Sequence, residues 1–226
     1  MIEIIELVII LFSAFLLLVI TLWKRKSPAK LREIPAFTQL YRTLGLSVED
    51  GTRLHISLGH GGILDARGGS ALAGLAALRH IAERTSVSDK PSVASAGDPA
   101  LGLLAQDTLQ AGYQAAGVEE LYVSTTGRVT GLSPFGFAAG AMNISQNENV
   151  STNIMIGHFG PEAALLTEAS DRDNVSVIGA SDDLAGQAVL FVNAQDALIG
   201  EELFATGAYL GAGPTHVASL TVQDIL

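Results

Sequence analysis

The chain of 226 residues contains no cysteine. That excludes a disulfide framework, thiolate-bound zinc and thiol catalysis, and leaves the redox compartment open. Basic residues are few and unevenly placed. Five of the 13 (Lys24, Arg25, Lys26, Lys30, Arg32) lie within residues 1–32, against two acids there, Glu3 and Glu6. Residues 33–226 hold eight basic and 21 acidic side chains, a net of −13. So acidic a body repels phosphate backbones, and no nucleic-acid partner is expected. Several motifs are also missing. There is no GxxxxGK[ST] loop for a nucleoside triphosphate, no HExxH zinc motif and no GxSxG nucleophile elbow. No fixed-period repeat or low-complexity tract occurs, and with charged residues at only 16% the composition is not that of a disordered chain.

What the chain does have is a long apolar run. Residues 4–23, IIELVIILFSAFLLLVITLW, cover about 30 Å as a helix, the thickness of a bilayer's hydrocarbon core. Trp23 stands at one end of the run, where an indole suits the interface, and Lys24–Lys26 follow immediately. A secretory signal peptide would carry its positive charge before the apolar run and a small-residue cleavage site after it, and this segment has neither. The expectation is a single-pass cell-membrane protein with its N-terminus outside and its body in the cytoplasm, the basic cluster staying inside. Three segments follow from this: an anchor with its basic flank (1–26), a linker (27–35) and an α/β domain (36–226).

Beyond the linker, short apolar strands alternate with helices. Strands are predicted at 53–59, 92–97, 120–125, 152–157, 175–179 and 189–193. Helices are predicted at 36–46, 70–84, 99–116, 134–145, 161–170 and 182–187, with a last one capped by Asp196 and running to Tyr209. Asp98 followed by Pro99 is a helix start. Six alternations imply an α/β fold: one Rossmann-like three-layer domain with a mostly parallel sheet of five to seven strands, preceded by one N-terminal transmembrane helix.

The stretches IPAFTQL (34–40), LHISLGHGG (54–62), AAGAMN…NIMIGHFGPEAALLTEA (138–169) and LIGEELFATGAYLG (198–211) resemble an uncharacterised bacterial family of membrane-anchored α/β proteins known only as a domain of unknown function. The resemblance covers nearly the whole body. It implies the fold and the membrane location and supplies no catalytic residue. Members of that family are longer, with a further apolar segment after the body. Here residues 221–226 read as the first turns of a helix. The expectation is that the natural chain continues past Leu226 or that its tail docks on a neighbouring copy.

In an open parallel sheet, ligands bind beyond the carboxyl ends of the strands. Those ends are here Gly59-His60-Gly61-Gly62, Gly97-Asp98, 124–128 ending in Arg128, Gly157-His158 and 179–182 with Ser181. The candidate ligand-binding residues are therefore Gly59, His60, Gly61, Gly62, Asp98, Arg128, His158 and Ser181. Glycine N–H groups ahead of a helix, with Arg128, would suit a nucleotide or small anion. Yet Gly59-His60-Gly61-Gly62 is not GxGxxG, and tight turns alone explain glycines there. His60 and His158 with Asp65, Asp98 or Asp182 could make an acid–base or metal cluster only if their strands are neighbours, which sequence does not show. Asp182-Asp183 fits helix capping. No catalytic residue, metal or cofactor is assigned. The favoured expectation is a membrane-anchored scaffold that self-assembles into a ring or array through 132–142 and 203–214; the alternative is an enzyme or sensor using the strand-end cleft. The expected partners are the lipid bilayer and further copies of the chain.

Overall fold

A computed structural model of the protein describes residues 2–24, 31–65, 68–211 and 213–223. In chain order the elements are α1 (Ile2–Lys24), α2 (Pro35–Glu49), β1 (Arg53–Gly59), α3 (Gly68–Thr85), β2 (Val93–Ala96), α4 (Pro99–Ala115), β3 (Gly127–Val129), α5 (Pro134–Asn147), β4 (Val150–His158), α6 (Ala163–Arg172), β5 (Ser176–Ser181), α7 (Leu184–Asn193), β6 (Asp196–Leu198), α8 (Thr206–Tyr209) and α9 (Pro214–Gln223). The basic flank at 25–26 and Lys30 falls outside the described residues.

Three βα junctions carry the caps that start their helices. Asp98 accepts from the Leu101 N–H at 2.8 Å, Ser133 from Gly136 at 3.2 Å, and Asp183 from Ala185 and Gly186 at 2.9 and 3.2 Å. The strands form a six-stranded sheet in the order β3-β2-β1-β4-β5-β6, every pairing parallel. One face packs Leu54, Ile56, Leu58, Ile154 and Ile178 against α2, α3 and α4. The other packs Met155 and Val177 against Phe137, Leu166 and Leu190 of α5, α6 and α7. With both faces covered, the strands are continuous apolar runs. The helix α1 stands apart from these cores. It is long and apolar enough to cross a membrane over Ile5–Leu22, and only its end is buried, where Ile20 meets Ala218 and Val222 of α9.

Three expectations of the element order are corrected. Residues 120–125 are not a strand. They form two 3-10 turns, Glu119–Leu121 and Ser124–Thr126, because Tyr122 tucks edge-on against Tyr113 and donates to the Gln106 carbonyl at 3.0 Å. The third strand follows at Gly127, in register with Ala94. Residues 189–193 are the second half of α7 and not a sixth strand. The Asp183 cap commits the segment to a helix, Leu190 presses on β5, and Phe191 and Val192 point outward. An apolar run of this length has no periodicity that separates buried strand from helix. Asp196 begins the edge strand β6 and does not cap a helix.

The sheet has a polar seam on the α5–α6 side. His55 of β1 lies opposite Asn153 of β4, and its Nε2 is 2.8 Å from the Ser95 hydroxyl. Ser95 in turn is 3.4 Å from Ser57, and Asn153 Nδ2 is 3.4 Å from Ser170 Oγ. His55 is wholly buried, and its pKa is lowered to about 4, chiefly by loss of hydration; Glu148 opposes the shift and Arg128 adds to it. An unfolded histidine takes up its proton below pH 6.5, whereas the folded one resists until about pH 4. Stability is therefore expected to fall by about 3 kcal/mol as pH drops across that interval. Urea unfolding of the full chain in detergent measures this. In a His55→Gln chain that loss is absent over the same interval.

Candidate functional site

The order of the sheet reverses direction between β1 and β4, the kind of switch point at which open parallel sheets place their ligands. His60 directly follows β1, and His158 is the last residue of β4. Their backbones are tied together, the His60 N–H donating to the His158 carbonyl at 3.1 Å. Their rings meet edge to face, with centroids 4.8 Å apart. The close approach depends on two glycines. Gly59 has φ +75°, and a Cβ there would collide with the His158 carbonyl. A Cβ on Gly97 would lie 2.7 Å from that of His60. The Gly97 N–H also donates to Gly59 O at 2.8 Å, which draws the end of β2 into the same corner.

Each imidazole is backed by a carboxylate. His60 Nε2 is 3.1 Å from Glu162 Oε1, and His158 Nδ1 is 2.5 Å from Asp182 Oδ1. Glu162 is itself fixed by the Gly160 N–H at 2.7 Å and is almost fully buried. Burial pushes the Glu162 carboxyl up. Hydrogen bonds from His60, Gly160 and its own N–H outweigh burial and hold it below the usual carboxylate range. The Asp182 contact through Nδ1 fixes the orientation of the His158 ring. The pattern is two oriented imidazoles side by side, able to hydrogen-bond a polar ligand and to pass a proton.

The structure gathers some of the sequence candidates and separates others. Gly59, His60, Gly61, Gly62 and His158 come together where the ends of β1 and β4 meet. Asp98 borders that corner: a Cβ on Gly62 would lie 2.9 Å from Asp65 Oδ2 and 3.6 Å from Asp98 Oδ2. Ser181 is buried beside it but occupied, accepting from the Phe159 N–H at 3.1 Å and donating to the Phe159 carbonyl at 2.7 Å. Arg128 is elsewhere. It lies within β3 and, with Arg53, is ion-paired to Glu148, which stands just before β4 at the opposite edge of the sheet. The anion reading of the strand ends thereby loses its basic residue, and no Lys or Arg among the described residues is ion-paired to the cluster. Asp183 caps α7 as expected, while Asp182 holds a histidine. Glu162 was not foreseen. The signal available was an acid in the turn directly after a strand-end histidine. No group of three or more potential metal ligands occurs among the described residues.

The family model described as "Domain of unknown function (DUF6754)" matches residues 2–226. The chain belongs to that family. No curated protein and no solved structure matches it.

Because folding depresses the Glu162 pKa, its contribution to stability is present above the ordinary carboxylate value and is lost as pH falls through the depressed one. Glu162→Gln is expected to remove that acid limb from the unfolding profile. It is also expected to broaden or shift the His60 ring resonances in NMR spectra at neutral pH.

Proposed function

We propose that this protein is a membrane-tethered α/β domain that binds a small polar ligand in the crevice between β1 and β4, with His60 and His158 as the ligand-facing groups. The observation that carries this reading is the convergence of two carboxylate-backed imidazoles at the switch point of the sheet. Four carboxylates surround the crevice (Asp65, Asp98, Glu162 and Asp182), which favours a neutral or cationic hydroxyl- or amine-bearing ligand over a phosphate. His158, with Asp182 behind it, is suited to accept a proton from such a group. The test is a thermal-shift screen of the purified full chain against a panel of polyols, amines and nucleotides. A stabilising ligand is expected to lose at least tenfold in affinity with His158→Gln or Asp182→Asn. A panel without hits, or a hit indifferent to both substitutions, overturns the reading.

The tether is α1, crossing the bilayer with the body on the cytoplasmic side. The length of the apolar run and the basic residues directly after it support this. Alkaline carbonate is expected to leave the protein in the membrane fraction. A Lys90→Cys chain is expected to resist an impermeant thiol reagent on intact cells, and strong labelling there reverses the topology.

Self-assembly is a second reading, favoured by one observation. α7 presents Leu184, Phe191 and Val192, each at least two-thirds exposed, and Phe135 of α5 is exposed as well. Within the two segments expected to join copies, 132–142 and 203–214, Phe137 is fully buried, and Tyr209 stacks on Phe37 at 4.5 Å and donates to the Arg32 carbonyl at 2.6 Å. Phe135 and Phe204 of those segments remain exposed, as does the α7 face. Mass photometry in detergent distinguishes the two states: oligomers that Phe191→Glu dissolves support assembly, and a persistent monomer ends it.

A further inference from the structure

A cleft that includes neither His60 nor His158 lies along α3. Its volume is about 470 Å³, and Leu75, Ala76, Arg79, His80, Glu83 and His216 are among its walls. Its position relative to α1 gives it meaning. α9 starts against the body, where a Cβ on Gly207 of α8 would lie 2.5 Å from His216 Nδ1. Two residues later Ala218 is buried against the end of α1, together with Val222, Ile20 and Leu16. Ile20 and Leu16 belong to the apolar stretch Ile5–Leu22. Two helical residues rise about 3 Å. His216, one wall of the cleft, therefore sits close to the level of Leu22, where the apolar span ends and lipid headgroups would begin.

The walls suit that level. Leu75 and Ala76 give an apolar floor. Arg79 donates Nε–H to Glu83 at 3.1 Å, while its side chain stays mostly exposed. The Nε2 atom of His80 is shut off from solvent and has no hydrogen-bond partner among the described residues. The His80 ring is held edge-on to Tyr41, over which the Arg84 guanidinium stacks at 5.2 Å. In a body with only eight basic residues, Arg79 and Arg84 both belong to this stretch of α3. The Arg79 guanidinium, shared with Glu83, and the His216 imidazole beside Leu75 and Ala76 match a phosphate ester with its glycerol and first methylenes.

We infer that this cleft binds the headgroup of one anionic phospholipid, its phosphate held by Arg79 and His216 with His80 beside them. The inference rests on α1 crossing the bilayer and is independent of the ligand proposed for the switch point.

The experiment places the full chain in nanodiscs of phosphatidylcholine mixed with phosphatidylglycerol and counts retained lipids by native mass spectrometry. Preferential retention of one phosphatidylglycerol is expected. Arg79→Gln is expected to lower that retention about five-fold, and Arg79→Gln with His216→Gln to abolish the preference. Arg172→Gln, at the far end of α6, is expected to leave it unchanged. Insertion without selective retention overturns the inference, as does a preference that both cleft variants preserve, since the juxtamembrane lysines would then account for it. Binding of inorganic phosphate to the detergent-solubilised chain, sensitive to Arg79→Gln and without lipid retention in nanodiscs, assigns the cleft to a free anion and likewise overturns it. Failure of the chain to enter nanodiscs removes the anchor and this inference together.

Discussion

The parallel pairing of β1 with β4 is the interaction on which the rest of the molecule depends. It joins the half of the chain that builds β1 to β3 with the half that builds β4 to β6, and each half brings its own helices. Its register sets His55 against Asn153 in mid-sheet and carries Gly59 to His158 at the upper edge, with a shift between Ser57 and Gly59. Below, Glu148 just before β4 reaches Arg53 at the start of β1 and Arg128 on β3. A one-residue slip of this pair would turn Leu54, Ile56 and Leu58 out of their core and part the two histidines.

Much of the fold was legible in the sequence because the strands are short apolar runs punctuated by capped helix starts. Asp98-Pro99 opens α4 where its chemistry says it should, and β1, β2, β4 and β5 fall within two residues of expectation. The departures come where composition and tertiary context disagree. Residues 120–125 have the β-branched and aromatic content of a strand, but Tyr122 packs on Tyr113 and bonds to α4 instead of entering the sheet. Residues 189–193 look like a strand because their apolar side chains face outward as well as inward, which hides the helical period.

The candidate site was only half legible. His60 and His158 each followed a strand-end glycine, but their adjacency depends on strand order, which no local signal carries. Arg128 was misplaced through the error in β3: a strand starting seven residues later moves Arg128 from the end of a strand to its middle. Glu162 and Asp182 became partners only once the turns after β4 and β5 were folded against each other. With Arg128 paired to Glu148, and Glu162 and Asp182 on the two histidines, the strand ends carry acidic partners where glycine content alone suggested an anion site.

The two outermost strands, β3 and β6, are three residues each. A membrane holds copies of a protein in one orientation and at high local density, conditions under which an open sheet edge is a hazard. Edges this short offer too few free N–H and C=O groups to template another strand, and both are followed at once by turns that bend the chain away. They leave helices, and not the sheet, as the surface through which copies of such a domain could touch.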